Sequence, residues 1–282
     1  MTDKIIALVD GSIYSKSVCE NAIWIASRTG APVELIHVLG RRETSSSDLS
    51  GTIALGARTA LLEELSALDE QRAKLAQKKG RAILEDAQAI LAEAGIEASV
   101  KLRNGDLLET VEEAEKQASL VIIGKRGEAA DFAKLHLGSN LERIARSAIR
   151  PVYVAARTYR PVSRVLIAYD GGPSALRAVE HVARSRMFAG LDIHLLMVAT
   201  DTVENRRKLD AAKAVLSAGG FDAGTELMSG QPDKCISQRV ESENMDLLVM
   251  GAYGHSRIRS MIIGSTTSEM IRACKIPVML FR

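Results

Sequence analysis

Short apolar runs alternate with amphipathic stretches along the whole chain. In the first half, apolar runs predict β-strands near residues 4–9, 33–38, 97–102, 119–123 and 151–155, with helices near 14–29, 60–94, 106–117 and 138–148. The second half predicts strands near 164–169, 191–198, 222–228, 246–250 and 277–281, again with helices between them. The strand runs are almost continuously apolar, which is typical of parallel strands buried on both faces. The pattern therefore predicts an α/β fold with helices on both faces of its sheets.

The two halves repeat one sequence unit. The run DKIIALVD at residues 3–10 corresponds to SRVLIAYD at 163–170, and Asp10 precedes Val38 by the same 28 positions that separate Asp170 from Val198. We therefore predict two tandem domains, at residues 1–156 and 163–282, with a long insertion at 40–80 in the first. Ligands of such sheets bind beyond the carboxyl ends of the strands, where the strand order reverses.

Composition excludes several classes of function. The 282 residues are 46% hydrophobic and 26% charged, with a net charge of +2, which gives no case for binding nucleic acid or an anionic membrane. No apolar run is long enough for a membrane span, and the N-terminal run is too short for a signal peptide, so we expect a cytoplasmic location. Cys19, Cys235 and Cys274 lack the spacing of disulfide or metal-binding motifs, so no metal site is predicted.

A glycine-rich loop in the second half is suited to binding phosphate. Gly251 and Gly254 follow the fourth strand, and Gly264 and Ser265 begin the next helix. Glycines let the backbone approach phosphate oxygens, and the N–H groups at the start of a helix bind anions. The intervening loop carries His255 and two arginines but no acid, which suits a polyphosphate. On spacing alone, an ordinary turn followed by a capped helix fits equally well.

Asp170 ends the first strand of the second half and is expected to face this loop across the cleft. A carboxylate at that place can accept hydrogen bonds from the hydroxyls of a ribose. The alternative is that Asp170 caps the following helix. Asp10, followed by Gly11 and Ser12, has the same two interpretations in the first half.

Together these motifs resemble the universal stress protein family. Nucleotide-binding members of that family carry Gly, two residues, Gly, nine residues, then Gly and Ser or Thr, and Gly251, Gly254, Gly264 and Ser265 fit this spacing. The resemblance covers both halves and implies two tandem open five-stranded parallel sheets, each of order 3-2-1-4-5. It also implies that the last strands, 151–155 and 277–281, pair within one chain as a pseudo-dimer, and it leaves a homodimer of whole chains open.

The ligand that the resemblance implies is ATP or a related adenine nucleotide, with or without Mg²⁺. Carried over by position, Asp170 would meet the ribose and the backbone of Val198 would line the adenine pocket. The full set of contact residues predicted in the second domain is Ala168, Tyr169, Asp170, Val198, Met250, Gly251, Gly254, His255, Gly264, Ser265, Thr266 and Thr267.

The first domain departs from the family pattern. Ten residues rather than nine separate Gly127 from Gly138, and Glu128 and Asp131 lie where phosphates would be, while Lys125 favours an anion. Carboxylates beside a triphosphate are unfavourable unless a metal bridges them. A second nucleotide site is therefore less favoured here; its members would be Asp10, Val38, Gly124, Gly127, Gly138, Ser139 and Asn140.

We expect a stress-response protein that acts as a nucleotide-responsive binding module, mainly through its C-terminal domain. One alternative is a slow ATPase, although the phosphate loop offers no evident acid to hold a metal ion. The other is an interaction protein whose nucleotide sites do not function. The helical stretch from about residue 59 to 94 has leucines at helical spacing, and it either covers the sheet or binds a partner.

Overall fold

The computed structural model describes residues 4–40, 58–127, 139–252 and 265–282. Its strands are β1 (Lys4–Leu8), β2 (Val33–Leu39), β3 (Ala98–Asn104), β4 (Ala118–Gly124), β5 (Val152–Ala155), β6 (Arg164–Ala168), β7 (Asp192–Val198), β8 (Gly224–Met228), β9 (Leu247–Gly251) and β10 (Val278–Phe281). Its α-helices are α1 (Ser15–Thr29), α2 (Arg58–Glu93), α3 (Leu107–Ala114), α4 (Ser139–Ser147), α5 (Pro173–Arg184), α6 (Val203–Ala218), α7 (Pro232–Ser242) and α8 (Ser265–Ala273).

The ten strands form one continuous sheet, in the order β3-β2-β1-β4-β5-β10-β9-β6-β7-β8. Each half has the predicted order 3-2-1-4-5, with parallel pairing throughout. The prediction of two separate five-stranded sheets is wrong. The expected pairing of the two last strands is present as an antiparallel ladder, with Val278 opposite Val154 and Leu280 opposite Val152. This ladder satisfies the backbone groups of two edge strands that would otherwise stay unpaired, and it makes one sheet of the two.

Helices cover both faces of the sheet, so the inner strands are buried on both sides, whereas the edge strands β3 and β8 are partly exposed. On one face Ile5 and Ala7 pack with α1, α2, α5 and α6, and on the other Ile6 and Leu8 pack with α3, α4, α7 and α8. Successive residues of a strand point to opposite faces, and here both sets must be apolar. This double burial explains the nearly continuous apolar runs of the sequence.

The predicted long helix of the insertion is α2, which has 36 residues and is unbroken through Gly80. A methyl group added at Gly80 would lie 2.7 Å from Leu102 Cδ1 and 2.9 Å from His37 Cδ2. Gly80 therefore allows the helix to lie close to β2 and β3. The remainder of the insertion, residues 41–57, lies outside the described residues.

Polar contacts also join the two halves. Lys125 Nζ donates a hydrogen bond to the carbonyl oxygen of Cys274 at 2.5 Å, just past the end of α8. Arg282 Nη1 donates to the carbonyl oxygen of Ser147, the last residue of α4, at 2.9 Å. Each half thus supplies a cation to the carboxyl end of the other half's last helix, where unpaired carbonyl groups and the helix dipole favour positive charge.

Candidate functional site

Three adjacent strand ends form a crevice in the second half. β6 lies between β7 and β9, and its last residue, Ala168, stands opposite Leu196 on one side and Met250 on the other. The chain leaves β6 towards β7 and returns on the opposite side as β9, so the strand order reverses at this point. Such a reversal opens a crevice at the carboxyl edge of a parallel sheet. Asp170, Val198 and Gly251 therefore share one edge.

A tight turn positions Asp170 at this edge. Asp170 Oδ1 accepts a hydrogen bond from the Gly172 N–H at 2.8 Å, and Gly171 has a φ of +77°. The N-cap of α5 is Gly172, and it makes no side-chain capping bond. The carboxylate of Asp170 thus closes a local turn that holds it in place just beyond β6.

Gly251 allows a close approach between β9 and α5. A methyl group at Gly251 would lie 3.0 Å from Ser174 Cβ and 3.1 Å from the Ala175 nitrogen. Ser174 and Ala175 belong to the first turn of α5, where backbone N–H groups have no partner within the helix. The end of β9 is therefore in contact with the electropositive end of a helix.

Thr267 connects the start of α8 to the same place. Its side chain is buried, and its hydroxyl lies 3.3 Å from the carbonyl oxygens of both Gly251 and Ala252. The hydroxyl of Thr267 donates within the protein, so it holds α8 against the end of β9 rather than pointing into the crevice. Thr266, one residue earlier, is half-buried. Two helix starts, those of α5 and α8, thus converge on the end of β9.

The other predicted contact residues at this edge differ in how far they are buried. Tyr169 is buried, and its N–H donates to the carbonyl oxygen of Leu196 at 2.8 Å; Met250 is also buried. Ala168 and Val198 are half-buried. The predicted residues Gly254, His255 and Gly264 lie outside the described residues, as does the side chain of Ser265, although Ser265 is the first residue of α8.

Lys208, a residue that sequence analysis missed, lies over the turn of Asp170. A methyl group added at Gly171 would lie 3.1 Å from Lys208 Cδ, and the Lys208 ammonium pairs with Glu204 at 2.7 Å on α6. Burial and the charge of Asp170 raise the pKa of Tyr169, and the charge of Lys208 partly opposes them. Lys208, paired with Glu204, thus places a positive charge on the α6 side of the crevice.

The corresponding edge of the first half is more crowded. Asp10 Oδ1 accepts hydrogen bonds from the Ser12 N–H at 2.9 Å and from the Ser15 hydroxyl at 3.2 Å. A methyl group at Gly127 would lie 3.1 Å from Asp10 Oδ2, so the structure brings these two predicted residues together. Gly124 is in contact with the side chain of Tyr14, at the position that the smaller Ser174 holds in the second half.

Helix α2 closes over the first-half turn with an apolar side chain. A methyl group at Gly11 would lie 2.8 Å from Ile83 Cδ1, whereas the equivalent Gly171 has Lys208 beside it. His37 is buried, and its Nδ1 lies 2.7 Å from the carbonyl oxygen of Val9. Because a carbonyl only accepts, Nδ1 carries the proton, and His37 is a satisfied core residue.

The remaining first-half residues do not assemble into a phosphate site within the described chain. Lys125 points to Cys274 in the other half, and burial lowers the pKa of Lys125 to about 8. Asn140 is exposed on the first turn of α4, and Val38 is half-buried. Gly138 and the side chain of Ser139 lie outside the described residues.

Over the described ranges, neither a cluster of metal ligands nor a membrane-spanning helix is present. No three His, Cys, Asp or Glu side chains there converge into a group that could hold a metal ion. None of the helices described is both long and apolar enough to cross a membrane. The three cysteines are buried and unpaired, and burial raises the pKa of Cys19 to about 12, so its thiol is unreactive at neutral pH.

Comparisons with known proteins identify the family. The model of the "Universal stress protein family" matches residues 1–156 and 195–282. Universal stress protein Slr1230 of Synechocystis is 37% identical over 284 residues, which cover 99% of each chain. A universal stress protein of Mycolicibacterium smegmatis is 25% identical over 97% of this chain and 95% of its own. The crystal structure of a universal stress protein from Archaeoglobus fulgidus superposes with a TM-score of 0.73 at 25% identity, covering 100% of this chain and 99% of that chain.

The family match includes residues of both halves, and the solved structure agrees with the α/β fold of the whole chain. The relative from Synechocystis is aligned over nearly the whole length of both chains. This protein belongs to the universal stress protein family.

Proposed function

We propose that the protein binds ATP or a related adenine nucleotide in the crevice of its second half, and that it works as a nucleotide-responsive binding module in the stress response. The two units of this proposal are residues 1–156 and 163–282, of which the second holds the working site. The observation that carries it is the convergence of Asp170, Val198 and Gly251 with the starts of α5 and α8.

The residues present suit a nucleotide. The bare Cα of Gly251 and the neighbouring first turn of α5 give backbone N–H groups access to an anion, and α8 starts within reach of the same point. Lys208 adds a positive charge on the side of Asp170. A bound ATP would supply a triphosphate to this electropositive edge and a ribose to the carboxylate.

Each residue would have a separate task. Asp170 would accept hydrogen bonds from the ribose hydroxyls, and the backbone of Val198 would contact the edge of the adenine. The phosphates would lie at Gly254, Gly264, Ser265 and Thr266, with the buried Thr267 keeping α8 in place. Ala168, Tyr169 and Met250 would shape the floor of the crevice, with His255 on the loop above it.

The first half is proposed as the weaker site. Its Asp10 already accepts two hydrogen bonds, Tyr14 fills the space beside Gly124, and Ile83 takes the place of Lys208. Lys125 is engaged with the other half. A less basic and more crowded edge reduces affinity for a polyphosphate.

Calorimetric titration of Mg-ATP into protein stripped of bound nucleotide tests the proposal. We expect one site per chain, with a loss of at least tenfold in affinity in Asp170→Asn and none in the matched first-half variant Asp10→Asn. AMP and cyclic AMP, titrated in the same way, would identify the preferred adenylate. Absence of binding by any adenine nucleotide, or a loss confined to Asp10→Asn, would refute the assignment of the site.

The proposal concerns binding, not turnover. Binding and turnover are distinguished by measuring the release of phosphate from ATP by the purified protein. The variant Asp170→Asn is prepared and measured in the same way. Hydrolysis that disappears in the variant would add a slow ATPase activity to this site, and equal hydrolysis in both preparations would indicate a contaminating enzyme.

A further inference from the structure

Helix α2 consists of a packed part and a projecting part. Gly80, Leu84, Ala87 and Leu91 are buried, at the spacing of one helix face, against β2, β3 and α1. From residue 63 to residue 79, by contrast, no side chain is buried. At 1.5 Å per residue, this projecting part of α2 is about 25 Å long.

The projecting part carries leucines on one side. Leu75 is 70% exposed and Leu68 is 45% exposed, while Leu65 is partly buried. Positions 65, 68, 72 and 75 lie on one face, at the spacing by which helices pair along a seam. Large exposed apolar side chains in a row are unfavourable in water, and contact with a second helix removes them from it.

The charges of this segment divide sharply at Gln71. The preceding turns contain Glu63, Glu64, Asp69 and Glu70, without a base after Arg58. The following turns contain Arg72, Lys74, Lys78, Lys79 and Arg81, without an acid before Glu85. A parallel partner of the same sequence would place like charges together. An antiparallel partner would place each acidic half beside a basic half.

We propose that the projecting part of α2 is a homodimer contact, in which two copies of this chain pair their helices antiparallel about a two-fold axis near Glu70 and Gln71. A two-fold contact of this kind uses the same surface on both subunits. The arrangement brings Leu65 near Leu75 of the partner subunit and the acidic turns near Lys78 of the partner subunit. It is independent of nucleotide binding and of the β5–β10 ladder.

The ion pairs already present on the helix do not oppose this contact. Lys74 Nζ lies 2.6 Å from Glu70 Oε1, and Arg72 Nη1 lies 3.9 Å from Asp69 Oδ1. Both are exposed pairs within one helix, which contribute little to stability and exchange partners readily. Self-complementary charge is what selects a second copy over an unrelated helical partner, because an unrelated partner would not require the acidic and basic turns to mirror each other.

Sedimentation equilibrium of the full chain over about a hundredfold range of concentration tests the contact. A chain of 30.4 kDa is expected to approach twice its mass at the upper end of the range. Leu75→Glu should restore the single-chain mass. Val203→Glu is the matched control, since Val203 is 86% exposed at the start of α6, and it should dimerise like the unchanged protein. Circular dichroism confirms that both variants fold.

A charge exchange then tests the antiparallel geometry. Lys78→Glu/Lys79→Glu makes the segment acidic at both ends, and Glu63→Lys/Glu64→Lys makes it basic at both ends. Each variant alone should be monomeric, and an equimolar mixture should form a mixed dimer. The proposal is overturned by a monomeric unchanged protein at every concentration, by a dimeric Leu75→Glu, or by charge variants that dimerise alone as well as the unchanged protein does.

Discussion

Lys125 of the first half donates a hydrogen bond to the carbonyl oxygen of Cys274 in the second half, at 2.5 Å. Cys274 follows the last residue of α8, the helix whose first turn lies at the crevice. Lys125 lies between Gly124 and Gly127, two residues that the sequence predicted for a second nucleotide site. The first half therefore uses this lysine to cap a helix of the second, and the two units are coupled through it.

Replacing Lys125 by methionine should destabilise the protein modestly. The variant keeps most of the apolar stem but leaves the end of α8 without its cation, which costs about 1 kcal/mol of unfolding free energy. Urea unfolding at pH 7 measures the loss. Lys116→Met, on a surface turn of the first half, serves as a control that should leave stability unchanged. A Lys125→Met variant as stable as the unchanged protein would contradict a capping role.

The lowered pKa of Lys125 also predicts that the unfolding free energy depends on pH. Burial lowers the pKa of Lys125 to about 8, below its usual value of 10.5, so between these values the unfolded chain binds more protons than the folded one. Stability rises with pH wherever the unfolded state binds more protons. The difference in unfolding free energy between the unchanged protein and Lys125→Met should therefore widen as the pH is raised from 8 to 10. A difference that stays constant over this range would exclude the lowered pKa.

A chain of buried hydrogen bonds also supports the junction between β5 and β10, on the other face of the sheet. The hydroxyl of Tyr153 on β5 donates to Asn21 Oδ1 at 2.7 Å, and Asn21 Nδ2 donates to the carbonyl oxygen of Ser17 at 2.7 Å. Tyr153 and Asn21 are both fully buried. Tyr153→Phe removes one partner and leaves the amide oxygen unsatisfied, which should cost about 1–3 kcal/mol in chemical denaturation. Tyr153→Phe/Asn21→Leu should recover part of this loss, and a double variant less stable than the single one would contradict the explanation.

Much of the candidate site could be predicted because it directly follows buried strands. Asp170 and Gly251 each come at the end of an apolar run, and parallel strands bring their carboxyl ends to one edge. Lys208 and Ile83 could not be predicted in this way. Each reaches the edge only through the packing of a helix, and nothing in the local pattern marks either residue.

Two other differences between the predictions and the structure, the role of Thr267 and the number of sheets, have similar causes. A threonine in the first turn of a helix is equally suited to bind a phosphate or to hold a neighbouring loop. Only the position of Thr267 beside Gly251 and Ala252 shows that this threonine does the second. The number of sheets could not be read from two short apolar strands, because β5 and β10 have the same pattern whether they end two sheets or join them. The strand order within each half, which depends on whole elements, was predicted correctly.

The partly buried His181 should make the protein less stable in mild acid. Its ring packs against Phe281 and Phe188, with centroids 5.1 and 6.2 Å away, and burial lowers its pKa to about 4. Between pH 6.5 and 4 the unfolded chain takes up a proton that the folded chain does not, so unfolding free energy falls with pH by up to about 1.4 kcal/mol per unit. Urea unfolding across this range should show a shallower fall in His181→Leu. Parallel curves for the two proteins would exclude this histidine as the source.

The contact between Gly251 and the start of α5 predicts a variant that weakens both stability and nucleotide binding. In Gly251→Ala the new methyl group meets Ser174 Cβ at 3.0 Å and the Ala175 nitrogen at 3.1 Å, so the first turn of α5 must move away from β9. The strain should cost about 1–3 kcal/mol of unfolding free energy, because overpacking a tight contact forces the backbone to shift. Because the proposed phosphate site includes the first turn of α5, affinity for Mg-ATP should fall at least tenfold.

Gly40→Ala is the matched control for this variant. Gly40 follows β2, has no heavy atom of the described residues within 4 Å of an added methyl group and does not adopt a positive φ. Its replacement should alter neither stability nor the affinity for Mg-ATP in calorimetry. If Gly251→Ala binds as tightly as Gly40→Ala, the end of β9 does not face the phosphates, and the nucleotide must be sought elsewhere on the sheet edge. If both variants lose affinity equally, the effect is not specific to the crevice, because Gly40 lies in the other half of the sheet.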